Sequence, residues 1–127
     1  MTTSMHPFPP SATVGFLVGL EIGQVCLDPW STQFRFADGG RIMIEGAFEY
    51  IDLGGRTHAH QSGDAQDTGP VFFREMLQQR IVSLEAEPFV LTLRFGNCTA
   101  LRIHSDEGRY ECGQIYPPGD PLKLIVF

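Results

Sequence analysis

The chain has 127 residues, a net charge of −6 and a pI near 5.0. That length predicts one domain, because a chain of this size can bury roughly two thirds of its unfolded surface around a single core. The acidic balance argues against binding to a nucleic-acid backbone, which needs a concentrated basic face. Ten Phe and 43% hydrophobic residues are typical of a globular protein rich in strands.

Cysteine usage and the first apolar stretch indicate the cellular setting. Cys26, Cys98 and Cys112 are odd in number and lack the close spacing of a zinc site or a redox motif. The apolar stretch 14–20 is too short to span a bilayer, and no basic residue precedes it as in a signal peptide. We therefore expect a soluble, cytoplasmic protein with no cofactor, no membrane partner and no nucleic-acid partner.

The first half of the chain begins with a proline-rich segment and continues as strands. Residues 1–12 are predicted to form a loose tail, because prolines resist regular structure. Residues 13–53 form a first repeat, in which apolar residues alternate from Val25 onward. Phe36 opposite Ile42 would give a hairpin with the loop Asp38-Gly39-Gly40, where glycine supplies a left-handed conformation.

The second half begins after a polar linker. Residues 54–69 are rich in Gly, Asp, Gln and His, and are predicted to be a surface loop. Residues 70–116 are predicted to hold a second repeat, preceded by a helix over 70–80 with Pro70 in its first turn. Residues 117–127 are predicted to be a turn followed by an edge strand.

The two repeats match at a constant offset of 59 residues. Residues 22–45 align with 81–104 without a gap, with five identities in 24 positions: Ile22/Ile81, Pro29/Pro88, Arg35/Arg94, Phe36/Phe95 and Ile44/Ile103. The pattern predicts a mainly β fold of duplicated antiparallel units with pseudo-twofold symmetry. Such units would form a sandwich or a flattened barrel, with one α-helix connecting the halves.

Several short motifs share the arrangement of a known family: Phe16-Leu17-Val18-Gly19, Gln24-Val25-Cys26-Leu27, Phe36 with Asp38-Gly39, Ile44-Glu45-Gly46 and Tyr110-Glu111. Together they resemble a bacterial family of uncharacterised small domains with a twofold β repeat, over most of residues 15–112. The second half departs from that pattern, with Gln79 and Asn97-Cys98 where glycine and Asp-Gly are usual. The resemblance implies the fold and no activity.

A pair of histidines is the first candidate for a functional site. His58 and His60 are two residues apart, so on a strand they would share one face and could bind a divalent metal with Asp64. The alternative is a polar loop that happens to hold two histidines. A metal-dependent enzyme is the function that this pair would support.

A pair of arginines is the second candidate. If Phe95 lies opposite Leu101, then Arg94 lies opposite Arg102, and Thr92 lies opposite His104. Two opposed guanidinium groups repel each other unless an anion lies between them, so these four residues could hold a small anionic ligand. The alternative is that Glu85, Glu87 or another acid neutralises the arginines.

The remaining features favour a protein without catalysis. Cys98 lies at a hairpin tip with no histidine beside it in the sequence, so a passive thiol is favoured over a nucleophile. Trp30 and Phe89 occupy equivalent places and would either cap the core or form an interface. We predict a non-catalytic module that binds itself or another protein, of which an immunity-like protein is a specific version, with the ligand binder and the metalloenzyme as alternatives.

Overall fold

The computed structural model describes residues 7–62, 73–105, 112–119 and 123–127. Ten strands form two antiparallel sheets of five, in the orders β1-β2-β3-β9-β10 and β5-β4-β8-β7-β6. The strands, in chain order from β1 to β10, are Ile22–Leu27, Thr32–Phe36, Arg41–Ile44, Ala47–Ile51, Thr57–Gln61, Ile81–Glu87, Val90–Phe95, Ala100–His104, Gly113–Tyr116 and Ile125–Val126. The mainly β fold predicted from the sequence is confirmed.

The core lies between the two sheets. Alternate residues of each central strand point inward, as the alternation of apolar and polar residues dictates. Phe34 of the first sheet and Phe48 of the second meet edge to face, with ring centroids 5.8 Å apart. The largest fully buried side chains come from both sheets and both chain ends: Tyr50, Phe34, Phe48, Phe95, Phe127, Leu17, Ile22, Ile42, Ile44, Met76, Ile81 and Leu91.

The two halves of the chain have equivalent strands, and each half contributes its last two strands to the sheet that the other half begins. Phe34 lies opposite Ile42, and Leu93 lies opposite Leu101, which is the same pair 59 residues later. After its third strand, each half crosses to the other sheet: β4 pairs with β8, and β9 pairs with β3. Each sheet therefore holds three strands of one half and two of the other.

The halves meet where β1 and β6 begin. Glu21 and Arg80, which are equivalent at the 59-residue offset, pair with each other in an antiparallel bridge. Ile22 N–H donates to Gln79 O (3.0 Å), and Ile81 N–H donates to Leu20 O (3.0 Å), so the hydrogen bonds are related by the same symmetry. The Arg80 guanidinium also lies 3.4 Å from the Glu21 carboxylate. The local twofold axis therefore passes between Glu21 and Arg80.

The predicted hairpin pairing was wrong by two residues in both halves. Phe34, and not Phe36, lies opposite Ile42, because the turn uses Ala37-Asp38-Gly39 in place of Asp38-Gly39-Gly40. Phe36 N–H donates to Gly40 O at 2.9 Å, and Gly39 takes the positive φ of 111° that the turn requires. Because the error is an even number of residues, every side chain keeps its predicted face of the sheet.

The equivalent turn of the second half places Cys98 at the position of Gly39, with a φ of 69°. The preceding Asn97 accepts hydrogen bonds from the Thr99 hydroxyl (2.6 Å) and the Thr99 N–H (3.2 Å), which fix the turn. A side chain with a Cβ is disfavoured in this region of backbone space, whereas glycine enters it freely.

We expect Cys98→Gly to raise the free energy of unfolding by about 0.5 to 1 kcal/mol, because the gain at the left-handed position exceeds the entropy that glycine adds to the unfolded chain. Urea denaturation monitored by circular dichroism measures this change. Gly39→Ala is the matched control, and we expect it to be destabilised by about 1 kcal/mol. A destabilised Cys98→Gly variant would show that the thiol contributes contacts that outweigh the backbone conformation.

The N-terminal segment packs on the core, in contrast to the loose tail predicted for residues 1–12. Phe8 is 5% exposed and stacks on Phe127 with ring centroids 4.5 Å apart. Its N–H donates to Pro88 O at 2.8 Å. A short helix, α1, follows at Ser11–Val14. The prolines exclude a strand here, yet they leave Phe8 free to fill the core.

The segments between the halves also differ from their predictions. The helix predicted over 70–80 is, in the part described from residue 73, a single 3-10 turn at Phe73–Met76. It ends early because Gln78 has a positive φ of 67° and Arg80 pairs with Glu21. The surface loop predicted over 54–69 contains β5. No helix among the described residues is long and apolar enough to cross a membrane.

Candidate anion-binding groove

The arginine pair predicted from the second half does not form. Thr92 lies opposite Arg102, and Arg94 lies opposite Ala100, because of the two-residue change in pairing. Each arginine has a carboxylate nearby: Arg94 lies 3.7 Å from Glu85, and Arg102 lies 3.9 Å from Glu49. His104 lies opposite Val90 and approaches Glu49 within 2.7 Å. The positive charge of this face is therefore balanced within the sheet.

The predicted histidine pair is on a strand and on one face, but its members have separate partners. The His58 ring nitrogen Nε2 lies 2.8 Å from the Asp52 carboxylate, and His60 stacks on Phe48 at 5.1 Å. Asp52 also accepts hydrogen bonds from the N–H groups of Gly54 and Arg56. The hydrogen bond from His58, followed by the one from Arg56, lowers the pKa of Asp52.

Asp64, the third predicted metal ligand, lies outside the described residues. Within the described part of the chain, no group of three or more His, Cys, Asp or Glu side chains is placed to hold a metal ion. The structure thus gives His58 and His60 structural partners. Binding of a metal by this pair stays a prediction.

A second polar pair lies beside His58, under the 3-10 turn. The Tyr50 hydroxyl donates to the Glu75 carboxylate at 2.8 Å, and Asn97 reaches from its turn to the Glu75 carbonyl at 3.1 Å. Burial, with the hydrogen bond to Glu75, raises the pKa of the Tyr50 hydroxyl. Tyr50 therefore stays protonated and serves as a donor.

The two aromatic residues predicted to cap the core or form an interface are in different environments. Trp30, in the turn between β1 and β2, is 77% exposed, and its neighbour Leu27 is 61% exposed. Phe89, at the equivalent turn of the second half, is half-buried, and its carbonyl accepts a hydrogen bond from Ser105 N–H at 2.9 Å. Self-association through these residues stays a prediction.

The most promising surface lies on the outer face of the first sheet. A groove of about 670 Å³ runs there, between the β2–β3 turn and the end of β9. We call it the arginine groove, and its lining consists of Gly23, Gln24, Arg35, Phe36, Ala37, Gly39, Gly40, Arg41, Tyr116, Pro117 and Gly119. Its volume is in the range of small-ligand sites, which is roughly 300 to 1,000 Å³.

Two arginines lie opposite each other in this groove. Arg35 of β2 and Arg41 of β3 are directly paired across the ladder, which is the arrangement predicted for Arg94 and Arg102. Like charges at such positions are unfavourable unless something negative lies near them. The Arg41 guanidinium lies over the ring of Tyr116, with its central carbon 4.3 Å from the ring centroid. This cation–π contact holds Arg41 in place, and the Tyr116 ring itself carries no negative charge that would neutralise the guanidinium.

Neither arginine has a carboxylate partner among the residues that the structure describes. The Nε of Arg41 is buried and has no hydrogen-bond acceptor there. A buried donor without a partner costs roughly 1 to 3 kcal/mol, more when the group is charged. An anion in the groove would lower the repulsion between the two guanidinium groups.

The equivalent place on the second sheet has lost these features. Arg94 corresponds to Arg35, but Ala100 stands at the position of Arg41, and Ile51 replaces Tyr116 as its neighbour. Glu85, which lies near Arg94, corresponds to Cys26 in the first half. The two sheets thus share one exposed arginine at this place, and only the first sheet has a second arginine and an aromatic ring there, with Cys26 at the position of the acid.

The floor of the groove depends on close backbone contact at Gly40. A Cβ built on Gly40 would lie 2.3 Å from Tyr116 O and 2.8 Å from Pro118 N. Glycine therefore allows the turn to lie against the end of β9, which places Tyr116 beside Arg41. A guanidinium fork beside exposed backbone suits a carboxylate or a phosphate, which bind arginine through two parallel hydrogen bonds.

A comparison with known proteins finds no family model, curated protein or solved structure that matches this chain. The resemblance over residues 15–112 stays a prediction. Function is therefore inferred from the groove itself. The sequence contained a signal for it, since the correct turn of the first hairpin would have placed Arg35 opposite Arg41. The turn predicted from the sequence placed Arg35 opposite Met43 instead, so the only opposed arginines that it predicted were those of the second half.

Proposed function

We propose that this protein is a non-catalytic binding module that holds the anionic end of a small ligand in the arginine groove. The observation that carries the proposal is Arg41: its guanidinium is fixed on Tyr116, lies opposite a second arginine, and has no carboxylate partner among the described residues. Because the Arg41 guanidinium is already held in place, it does not need to reorganise when an anion binds, and this favours affinity.

The composition of the groove supports binding in preference to catalysis. Among the described residues that line it, the ionisable side chains are Arg35, Arg41 and Tyr116, and none is a carboxylate, imidazole or thiol. General acid–base or nucleophilic chemistry needs one of those groups, or an activated hydroxyl, near the reacting atoms. The Tyr116 hydroxyl donates its hydrogen bond to the side-chain oxygen of Gln114.

The charge of the whole chain supports a small ligand. The net charge is −6, so the groove is a local positive site on an acidic protein. A polyanion such as nucleic acid would be repelled by the surrounding surface, whereas a single carboxylate or phosphate group would be attracted by the two arginines.

We propose further that the two halves derive from one duplicated unit. The constant 59-residue offset of the paired positions supports this history. The free thiols of Cys26 and Cys98 are compatible with a reducing cytoplasm. A bacterial source and a homodimer are further proposals from the sequence.

Anion binding is tested by isothermal titration of the untagged protein with sulfate, phosphate, citrate and acetate at low ionic strength. We expect saturable binding of at least one of these anions. Arg41→Ala should weaken it about tenfold or more, because a hydrogen bond to a charged group contributes about 1.5 to 3 kcal/mol. Arg41→Lys should give an intermediate affinity, since it keeps the charge without the planar fork.

Arg94→Ala is the matched control, since Arg94 occupies the position of Arg35 on the other sheet and lies near Glu85. We expect its affinity to equal that of the unmodified protein. The proposal is wrong if no anion binds, or if Arg41→Ala and Arg94→Ala bind with the same affinity as the unmodified protein.

A further inference from the structure

A second groove adjoins the first and has the opposite character. It has a volume of about 570 Å³ and lies between the N-terminal segment and the described residues that follow β9. We call it the apolar groove, and it is lined by Thr13, Phe16, Leu20, Pro117, Pro118, Lys123 and Ile125. Pro117 lines both grooves, so the two meet at that residue.

The apolar groove has a polar counterpart beside the second sheet. Phe16 and Leu20 correspond, at the 59-residue offset, to Glu75 and Gln79. Ile125 pairs with Ile115 in the first sheet as His58 pairs with Tyr50 in the second. There the polar residues use one another as partners, since Tyr50 donates to Glu75 and His58 contacts Asp52.

The two sheets therefore differ in the same direction at both grooves. At the counterpart of the arginine groove, Arg94 lies near an acid, and at the counterpart of the apolar groove the polar residues pair with one another. Beside the first sheet both places are open: one presents arginines that have no carboxylate partner among the described residues, and the other presents apolar side chains, of which Phe16 is 38% exposed. Large exposed apolar side chains beside a charged site are typical of a surface that binds a ligand of mixed character.

We propose that the ligand is a monomeric amphiphile, with an acyl or alkyl chain that carries one terminal anionic group. The anionic head binds Arg35 and Arg41, and the chain crosses Pro117 into the apolar groove. Lys123 adds a positive charge to the rim of that groove. This inference rests on the proposed function, because the head group occupies the arginine groove.

The test compares linear carboxylates of increasing length, from acetate through hexanoate to decanoate, by isothermal titration below their micelle concentrations. We expect affinity to rise by about fourfold for each methylene that becomes buried, which corresponds to about 0.8 kcal/mol. Phe16→Glu and Leu20→Gln introduce the residues of the second half. Each should flatten this dependence on chain length and leave the affinity for acetate unchanged.

Val18→Gln is the control, since Val18 is exposed beside Phe16 but does not line the apolar groove. We expect its dependence on chain length to match that of the unmodified protein. Equal affinity for acetate and decanoate would overturn the amphiphile and leave the anion-binding function standing. So would a dependence on length that survives both substitutions, because the chain would then lie elsewhere.

Other outcomes separate the two proposals and the source of the ligand. If phosphate or sulfate binds but neither acetate nor decanoate does, the carboxylate amphiphile is overturned and anion binding stands. If no anion binds, or if decanoate binds equally well to Arg41→Ala, the proposed function itself fails. Flotation with vesicles of anionic phospholipid is the second arm. Binding to vesicles without binding to decanoate would place the head group in a bilayer and would overturn a free monomeric ligand.

Discussion

Gly113→Ala is expected to lower the free energy of unfolding by about 3 kcal/mol, with a fall of roughly 10 °C in Tm. Gly113 lies in β9 on the face that meets the core, where it pairs with Ile44. A Cβ at this position would lie 2.3 Å from Met43 O and 2.5 Å from the Phe127 ring. The first contact is with backbone of the neighbouring strand, so no side-chain rotation can relieve it.

Urea denaturation of Gly113→Ala and of Gly15→Ala measures this effect against a control. Gly15 has a φ of −60° and open space around its Cβ position, so alanine should be tolerated there without loss. A Gly113→Ala variant within about 0.5 kcal/mol of the unmodified protein would contradict the close approach of β3 and β9.

A double-mutant cycle with Phe127→Ala separates the two contacts. Phe127 is fully buried, so its truncation alone should cost about 3 to 5 kcal/mol. In that background, Gly113→Ala should cost less than it does alone, because only the Met43 carbonyl still obstructs the new methyl group.

Gly40→Ala is the second substitution with a large expected effect, and it acts on the arginine groove. We expect a loss of about 2 to 3 kcal/mol in the free energy of unfolding, because the Cβ would lie 2.3 Å from Tyr116 O. We also expect anion affinity to fall several-fold. Tyr116 must move to make room, and its ring then no longer supports the Arg41 guanidinium.

Gly23→Ala is the matched control, since Gly23 lines the same groove and its Cβ would meet nothing closer than Ala37 at 3.4 Å. Calorimetric unfolding and sulfate titration of both variants give the two quantities. If Gly40→Ala keeps full stability and full affinity, then the position of Tyr116 does not depend on the turn. Some contact other than the Tyr116 ring would then hold the Arg41 guanidinium in place.

The features of the fold that could be predicted from sequence are those that depend on alternation and repetition. The pairs at the 59-residue offset correspond in space, because Phe34 and Leu93 each alternate inward in their strands and meet equivalent partners, Ile42 and Leu101. The faces of the strands were also predictable, since alternation is a local property of the chain.

The turn residues could not be assigned with the same security. Asp38-Gly39-Gly40 and Ala37-Asp38-Gly39 are both acceptable as three-residue loops, and the choice depends on which glycine takes the positive φ. The packing of Gly40 against Tyr116 determines which of the two turns forms, and Tyr116 is distant in sequence. That choice determined which pair of arginines would meet.

The N-terminal segment and the 3-10 turn were beyond local reasoning for a similar reason. Phe8 follows a proline and precedes two more, which is a context typical of a loose tail. Its ring nevertheless stacks on the ring of Phe127 in the core. The periodic apolar residues from Phe73 to Ile81 suggested a helix, while the bridge between Glu21 and Arg80 requires extended backbone. Tertiary contacts override local propensity at both places.

The exchange of strands between the sheets has a consequence for how the chain reaches its native state. Met43 pairs with Gln114, so the first sheet is complete only when residues 71 positions apart in the chain come together. Contacts between such distant residues slow folding and make it depend on nearly complete synthesis. A nascent chain that has progressed only as far as β5 leaves one side of β3 and one side of β4 without a neighbour. A second copy of the same fragment can supply both, which is the geometry of a domain-swapped dimer.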